Sequence, residues 1–261
     1  MFGIIQVEED DSVKRIKDWE ELTIQDNFLF QKVMRNKRLC QYLIKKILQI
    51  KIADITYPDT EKTIDIRLDS KSIRLDVYVK DNTGQVFDIE MQCTNEKENG
   101  LAKRTRYYQA MIDMDVLEKG DDYSKLNPAY IIFICTFDAF DQGLPMYTFR
   151  NRCVEQEGIE LNDEATKIFL NSKGDSPTLD PDVRAFLRYV DGKAAEGVFV
   201  QEVDKEVRRV KQHDETRREY MTLAMELKRM FAEGEKTGEE KGAKKKETMM
   251  ILAMLRKGFS V

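Results

Sequence analysis

Two runs of alternating apolar and polar residues lie in the first half of the chain. Ile73, Leu75, Val77 and Val79 alternate with Arg74, Asp76, Tyr78 and Lys80, and Phe87, Ile89 and Met91 alternate with Asp88, Glu90 and Gln92. A period of two predicts strands. Between them, Asp81-Asn82-Thr83-Gly84-Gln85 has the length of a hairpin loop, and Gly84 can take the left-handed conformation such a loop needs. A third alternating run, Thr63 to Leu68, follows the turn signal Tyr57-Pro58-Asp59. The pattern predicts three strands in meander order, at about 62–68, 73–80 and 86–92.

Helical spacing brackets this meander. Phe28, Phe30, Val33, Met34, Leu39, Tyr42, Leu43, Ile44, Ile47 and Leu48 recur on one face, in a helix opening at Thr23 or Gln25-Asp26. Arg35-Asn36-Lys37-Arg38 interrupts that face, so a bend or two helices is expected there. A second helix is predicted over 100–118, with Leu101, Tyr107, Tyr108, Met111, Met114, Val116 and Leu117 on its apolar side. Tyr130 to Cys135 is a nearly continuous apolar run, the signature of a strand buried on both faces. Met146 to Val154 and Lys167 to Leu170 are more polar and are expected as strands nearer an edge. Asp180 caps a helix with Pro181 at its first position, running to Tyr189. Beyond it lie a charged helix over 198–232 and a tail in which Gly234, Gly238 and Gly242 recur among Glu and Lys. The expected organisation is an arm (1–24), an α/β domain (25–195), a charged helix that packs back or mediates assembly (196–232) and a flexible Gly/Glu/Lys-rich tail (233–261).

Composition narrows the chemistry. Charged residues make up 35% of the chain, against a norm of about 25%, and much of that charge falls beyond residue 200. The net charge of −5 means that any attraction to nucleic acid must be local. Cys40, Cys93, Cys135 and Cys153 form no C-x-x-C pair, which points to reduced thiols and away from zinc. One histidine, His213, in a charged stretch, argues against histidine-dependent catalysis. The first residues do not resemble a signal peptide, and no apolar run reaches the roughly 18–20 residues of a membrane span. A cytoplasmic protein with no organic cofactor is expected.

Asp76 and Glu90 fall on one face of the hairpin for any loop of odd length. Directly opposed Cβ atoms lie about 4.5–5.5 Å apart, and two carboxylates that close repel unless something positive lies between them. A hairpin with a solvated polar face accounts for the pattern. So does Mg²⁺, which binds through one or two carboxylates with water and phosphate. Lys103, Arg104 and Arg106 stand in the first turns of the helix over 100–118, where the helix dipole opposes cations. They are either solvated or contacts for an anion, and Tyr108 shares the face of Arg104. Arg35, Lys37, Arg38, Lys45, Lys46 and Lys51 pose the same choice between solvated faces and phosphate contacts.

The order helix, three-strand meander, helix, buried strand, with Leu75-Asp76 on the second strand and Asp88-Ile89-Glu90-Met91-Gln92 on the third, resembles the core of the PD-(D/E)XK nucleases, the restriction-endonuclease-like fold. Asp26-Asn27-Phe28-Leu29-Phe30, Arg104-Thr105-Arg106-Tyr107-Tyr108, Tyr123-Ser124-Lys125-Leu126 and the stretch from Ile131 to Phe140 bring the chain closer to the branch of PD-(D/E)XK family transposases and Rpn-type recombination-promoting nucleases. The resemblance covers roughly residues 20–200. It implies an α/β fold with a mixed sheet flanked by helices, and a metal-dependent DNA endonuclease linked to a mobile element or recombination. It implies Mg²⁺, with Mn²⁺ as an alternative, held by Asp76, Glu90 and the Met91 carbonyl. Gln92 takes the place of the usual lysine, Asp26 and Asp88 are accessory acids, and Lys103, Arg104, Arg106 and Tyr108 contact DNA phosphates. Many nucleases of this fold act as dimers to cut both strands, which leaves a homodimer open. The Pro-Asp of the family name is absent. Gln92 can orient a water but carries no charge, which predicts slower chemistry or dependence on Arg104 or Lys103 for the missing charge. If residue 92 faces the scissile phosphate, Gln92→Lys is expected to preserve or raise cleavage. The alternatives are a silent descendant that binds DNA or protein, and an interaction module assembled by its helical tail.

Overall fold

The computed structural model describes residues 16–58, 63–64, 73–95, 100–230, 232–234 and 236. Helix α1, Asn27–Met34, buries Leu29, Phe30, Val33 and Met34. The polar break after it produces two helices: the Asn36 side chain accepts from the Leu39 N–H and caps α2, Lys37–Leu48. Three very short strands follow: β1 (Ile55–Thr56), β2 (Thr63–Ile64) and β3 (Ile73–Arg74). The remaining strands are β4 (Val77–Asp81), β5 (Val86–Gln92), β6 (Ala129–Cys135), β7 (Met146–Phe149) and β8 (Ala165–Asn171). Helix α3, Gly100–Val116, connects β5 to β6. Helices α4 (Pro181–Val190) and α5 (Val198–Lys211) follow β8.

Six strands form one mixed sheet in the order β1-β4-β5-β6-β8-β7. β5, β6 and β8 run parallel; β1 and β4 at one end and β7 at the other are antiparallel to their neighbours. Between β4 and β5 the Asp81 N–H donates to the Gln85 carbonyl and encloses a three-residue turn, Asn82 to Gly84, in which the Gly84 N–H donates to the Asp81 carbonyl and Gly84 takes φ 91°. The Asp81 carboxylate accepts from the Thr83 and Gln85 N–H groups and holds the turn.

Three expectations are corrected. The strand expected over 62–68 does not pair with β4; Thr63–Ile64 pairs with Ile73–Arg74 in a separate two-stranded sheet, and β1 takes the place beside β4. Residues 65–72 lie outside the described residues. The run over 73–80 is interrupted at Leu75–Asp76, because the Asp76 side chain bonds a backbone N–H of β5 and competes with the ladder. β8 is an inner strand, since Ile168, Phe169, Leu170 and Asn171 are all buried; its polar residues lie where the chain enters the sheet.

The even-numbered residues of β5 face α3. Leu101, Tyr108, Met111 and Ile112 of that helix pack with Tyr78, Val86, Ile131, Phe133, Cys135 and Phe169. The odd-numbered residues Phe87, Ile89 and Met91 are buried on the other face, which α1, α2, α4 and α5 serve. On that side the Asp180 carboxylate caps α4 through the Asp182 and Val183 N–H groups.

Residues 22–212 form one compact unit. The single helix expected over 198–232 is divided: α5 ends at Lys211 and a further helix spans 214–230. That helix belongs with residues 16–21 to a second unit, in which the Trp19 and Tyr220 rings lie 5.7 Å apart and the Tyr220 hydroxyl donates to the Lys17 carbonyl. Among the described residues no helix is long and apolar enough to cross a membrane.

Candidate active site

The site grows from the register of the hairpin. Val77 pairs with Ile89 and Tyr78 with Asp88, so one step further places Asp76 opposite Glu90. Asp76 lies just outside the ladder. Its backbone N–H donates to Glu90 Oε1 at 2.9 Å, and its own Oδ2 accepts from the Met91 N–H at 3.1 Å. Asp76 Oδ1 accepts from Gln31 Nε2 of α1 at 2.8 Å. The carboxylate of Asp76 therefore reaches α1, whereas the side chain of Glu90 lies beneath α3.

Glu90 is 2% exposed and Asp88 is fully buried. Both project toward α3, beside Phe133 and Ile131 in the parallel register. Arg104, one turn into α3, spans the strand end. Its Nη2 lies 2.8 Å from Glu90 Oε2, its Nη1 donates to Gln92 Oε1 at 2.9 Å, and its Nε donates to the Tyr108 hydroxyl at 3.0 Å. The guanidinium carbon sits 4.9 Å from the centre of the Phe133 ring and 5.1 Å from that of Tyr108. Tyr108 is itself buried, with its hydroxyl accepting from Arg104. The Gln92 amide is engaged at both ends, its nitrogen donating to the Thr94 carbonyl.

Burial, followed by the neighbouring Asp76 carboxylate, pushes the Glu90 carboxyl up to about 8; Arg104 and the Asp76 N–H work against that rise. Burial drives Asp88 well above the usual carboxylate range, and the charges on Glu90 and Asp76 add to it. No donor among the described residues reaches either carboxylate oxygen of Asp88. Glu90 bonds the Arg104 guanidinium, Asp76 bonds Gln31 and the Met91 N–H, and, beyond burial, the repulsion among the three carboxyls raises Asp88 and Glu90.

A hard cation would relieve that repulsion. In an extended strand the N–H and C=O of one residue leave on the same side, so the Met91 carbonyl points toward Asp76, as its N–H does. Each carboxylate oxygen keeps a second lone pair beside the hydrogen bond it accepts. Among the described residues no cluster of three acidic, histidine or cysteine side chains is arranged as a complete metal cage. An ion here would rest on two carboxylates, one carbonyl and water, the pattern of Mg²⁺.

Residues 27–174 match the model of the PD-(D/E)XK nuclease family transposases. The chain belongs to that family. Its six-stranded mixed sheet flanked by helices agrees with the family's restriction-endonuclease-like fold, and membership places the chain among nuclease- and transposase-related proteins, which typically use divalent metals. No curated protein and no solved structure matches the chain.

Within this PD-(D/E)XK chain the other anticipated residues fall into two groups. Lys103 and Arg106 are exposed on α3. Asp26 precedes α1 and its carboxylate accepts from the Thr23 N–H at 2.8 Å, so it braces the entry to that helix. The residue of α1 that touches Asp76 is Gln31, which the sequence reading missed. Its only signal was a polar residue lodged between Phe30 and Val33 on a helix otherwise used for packing. The basic residues of α2 are largely committed: Lys37 pairs with Asp54, Arg38 with Glu202, and Lys46 with Asp180 and Asp182.

Proposed function

We propose that the chain is a divalent-metal-dependent endodeoxyribonuclease that acts in the cytoplasm and serves a mobile element or recombination. The observation that carries this reading is the opposition of Asp76 and Glu90 across the β4–β5 hairpin, tied by the 2.9 Å bond from the Asp76 N–H to Glu90. Asp76, Glu90 and the Met91 carbonyl would hold Mg²⁺, or Mn²⁺ in its place. Bound there, the ion supplies a water of lowered pKa and offsets charge that builds on the phosphate. Gln31 and the Met91 N–H orient Asp76, and the Asp76 N–H orients Glu90. Orientation by such neighbours is commonly worth ten- to a hundredfold in metal affinity. Lys103 and Arg106, exposed on the same helix as Arg104, are placed to take DNA phosphates. Cutting both strands calls for two copies of the site, hence a homodimer.

A second reading, a DNA-binding descendant that does not cleave, draws on the closure of Glu90 Oε2 by Arg104. Supercoiled plasmid separates the two. Nicking that requires Mg²⁺ or Mn²⁺ and vanishes in Asp76→Ala supports the nuclease. Salt-sensitive DNA binding without nicking supports the second reading.

A further inference from the structure

The family's motif would place a lysine where Gln92 stands, and without that charge the chemistry is expected to slow or to depend on Arg104 or Lys103. Both ends of the Gln92 amide are occupied. Its oxygen accepts from Arg104 Nη1 and its nitrogen is tied to the Thr94 carbonyl. Arg104 meanwhile is held on every side. One edge of its fork spans Gln92 and Glu90, its Nε meets Tyr108, and its flat face lies against the Phe133 ring. A planar guanidinium bridging two acceptors is a fixed cation rather than a mobile one. Its side chain is 23% exposed, so the charge lies at the surface end of the strand.

We propose that Arg104 supplies the positive charge of this site, and that Gln92 is the positioning residue that aims it. The role of the charge rests on the nuclease reading; the pairing of the two residues does not. A glutamine suits the position because it offers a neutral acceptor. A lysine there would lose that acceptor and put an ammonium within about 3 Å of the guanidinium, where like charges repel. The expectation that Gln92→Lys preserves or raises cleavage is thereby reversed for as long as Arg104 is present.

Four proteins test this: wild type, Gln92→Lys, Arg104→Met and the double variant. In single-turnover nicking with Mg²⁺, Gln92→Lys falls about tenfold and Arg104→Met about a hundredfold. The double variant recovers at least about tenfold over Arg104→Met, because the lysine then supplies the missing cation. A metal-free readout runs beside it. Gln92→Lys lowers Tm by about 3–10 °C in the presence of Arg104, and raises it in the Arg104→Met background, where the new ammonium pairs with Glu90. Arg104→Lys does not restore nicking, since an ammonium cannot fork across two acceptors. If Gln92→Lys alone nicks as well as wild type, or the double variant is no better than Arg104→Met, the proposal falls. If no protein nicks, the nuclease reading fails and the Tm sign reversal decides the pairing alone; additive Tm changes overturn it.

Discussion

Asp76 and Glu90 are joined backbone to side chain: the Asp76 N–H donates to Glu90 Oε1 at 2.9 Å, at the point where β4 leaves the ladder. The bond costs Asp76 its place in the sheet and frees its carboxylate to reach Gln31 and the Met91 N–H. A break in one strand thus sets the two acids beside the Met91 main chain at one edge of the hairpin.

Gln31 is the brace of that edge from α1. Gln31→Ala removes the 2.8 Å bond to Asp76 Oδ1 and is expected to lower stability by about 1–2 kcal/mol. It should also weaken Mg²⁺ binding ten- to a hundredfold. Isothermal titration with Mg²⁺ and chemical denaturation check both. Metal affinity equal to that of wild type would show that Asp76 orients itself.

Metal binding should register as stability. Mg²⁺ at about a hundredfold excess over its Kd stabilises the folded state by about 2.7 kcal/mol, or about 5–10 °C in Tm for a unit of this size. Chelation returns Tm to its starting value. Asp76→Ala abolishes the shift. Equal Mg²⁺-induced shifts in the two proteins would place the ion elsewhere.

A clasp between α2 and α4 sets an acid dependence apart from the site. The Tyr42 hydroxyl donates to Asp182 Oδ2 at 2.6 Å, and Lys46 Nζ lies 3.0 Å from the same oxygen. The hydrogen bond from Tyr42 holds the Asp182 carboxyl below its usual range, with Lys46 adding to it against the opposing effect of burial. A carboxyl lowered on folding stabilises the protein above its unfolded pKa of about 3.9, and that contribution is lost as pH falls through the folded value. Tyr42→Phe is expected to lower Tm by about 2–4 °C at pH 7 and to flatten the loss of Tm between about pH 5 and 3. Superimposable profiles would mean that the clasp stabilises nothing.

The elements with strong periodicity were legible. Strands β5 and β6, helix α3 and helix α4 with its Asp180 cap stand where their patterns put them, because each carries a long apolar stripe or a local capping residue. The division between α1 and α2 was legible as a polar break. The short strands were not. Two residues in β1 carry no period at all, and β2–β3 separated from the main sheet because Asp76 turned aside. The inner position of β8 was hidden by its polar entry.

Alternation along the hairpin, with a loop of odd length, was enough to set Asp76 across from Glu90, since a period of two is a property of the chain alone. Tertiary structure decided which neighbours close around them. Gln31 comes from 45 residues upstream of Asp76 and Arg104 from 14 residues beyond Glu90. Only the packing of α1 and α3 on opposite faces of the sheet brings those side chains to the acids. For the same reason the engagement of Gln92 with Arg104 could not be read from spacing: a side chain's hydrogen bonds depend on what the fold places within 3 Å of it.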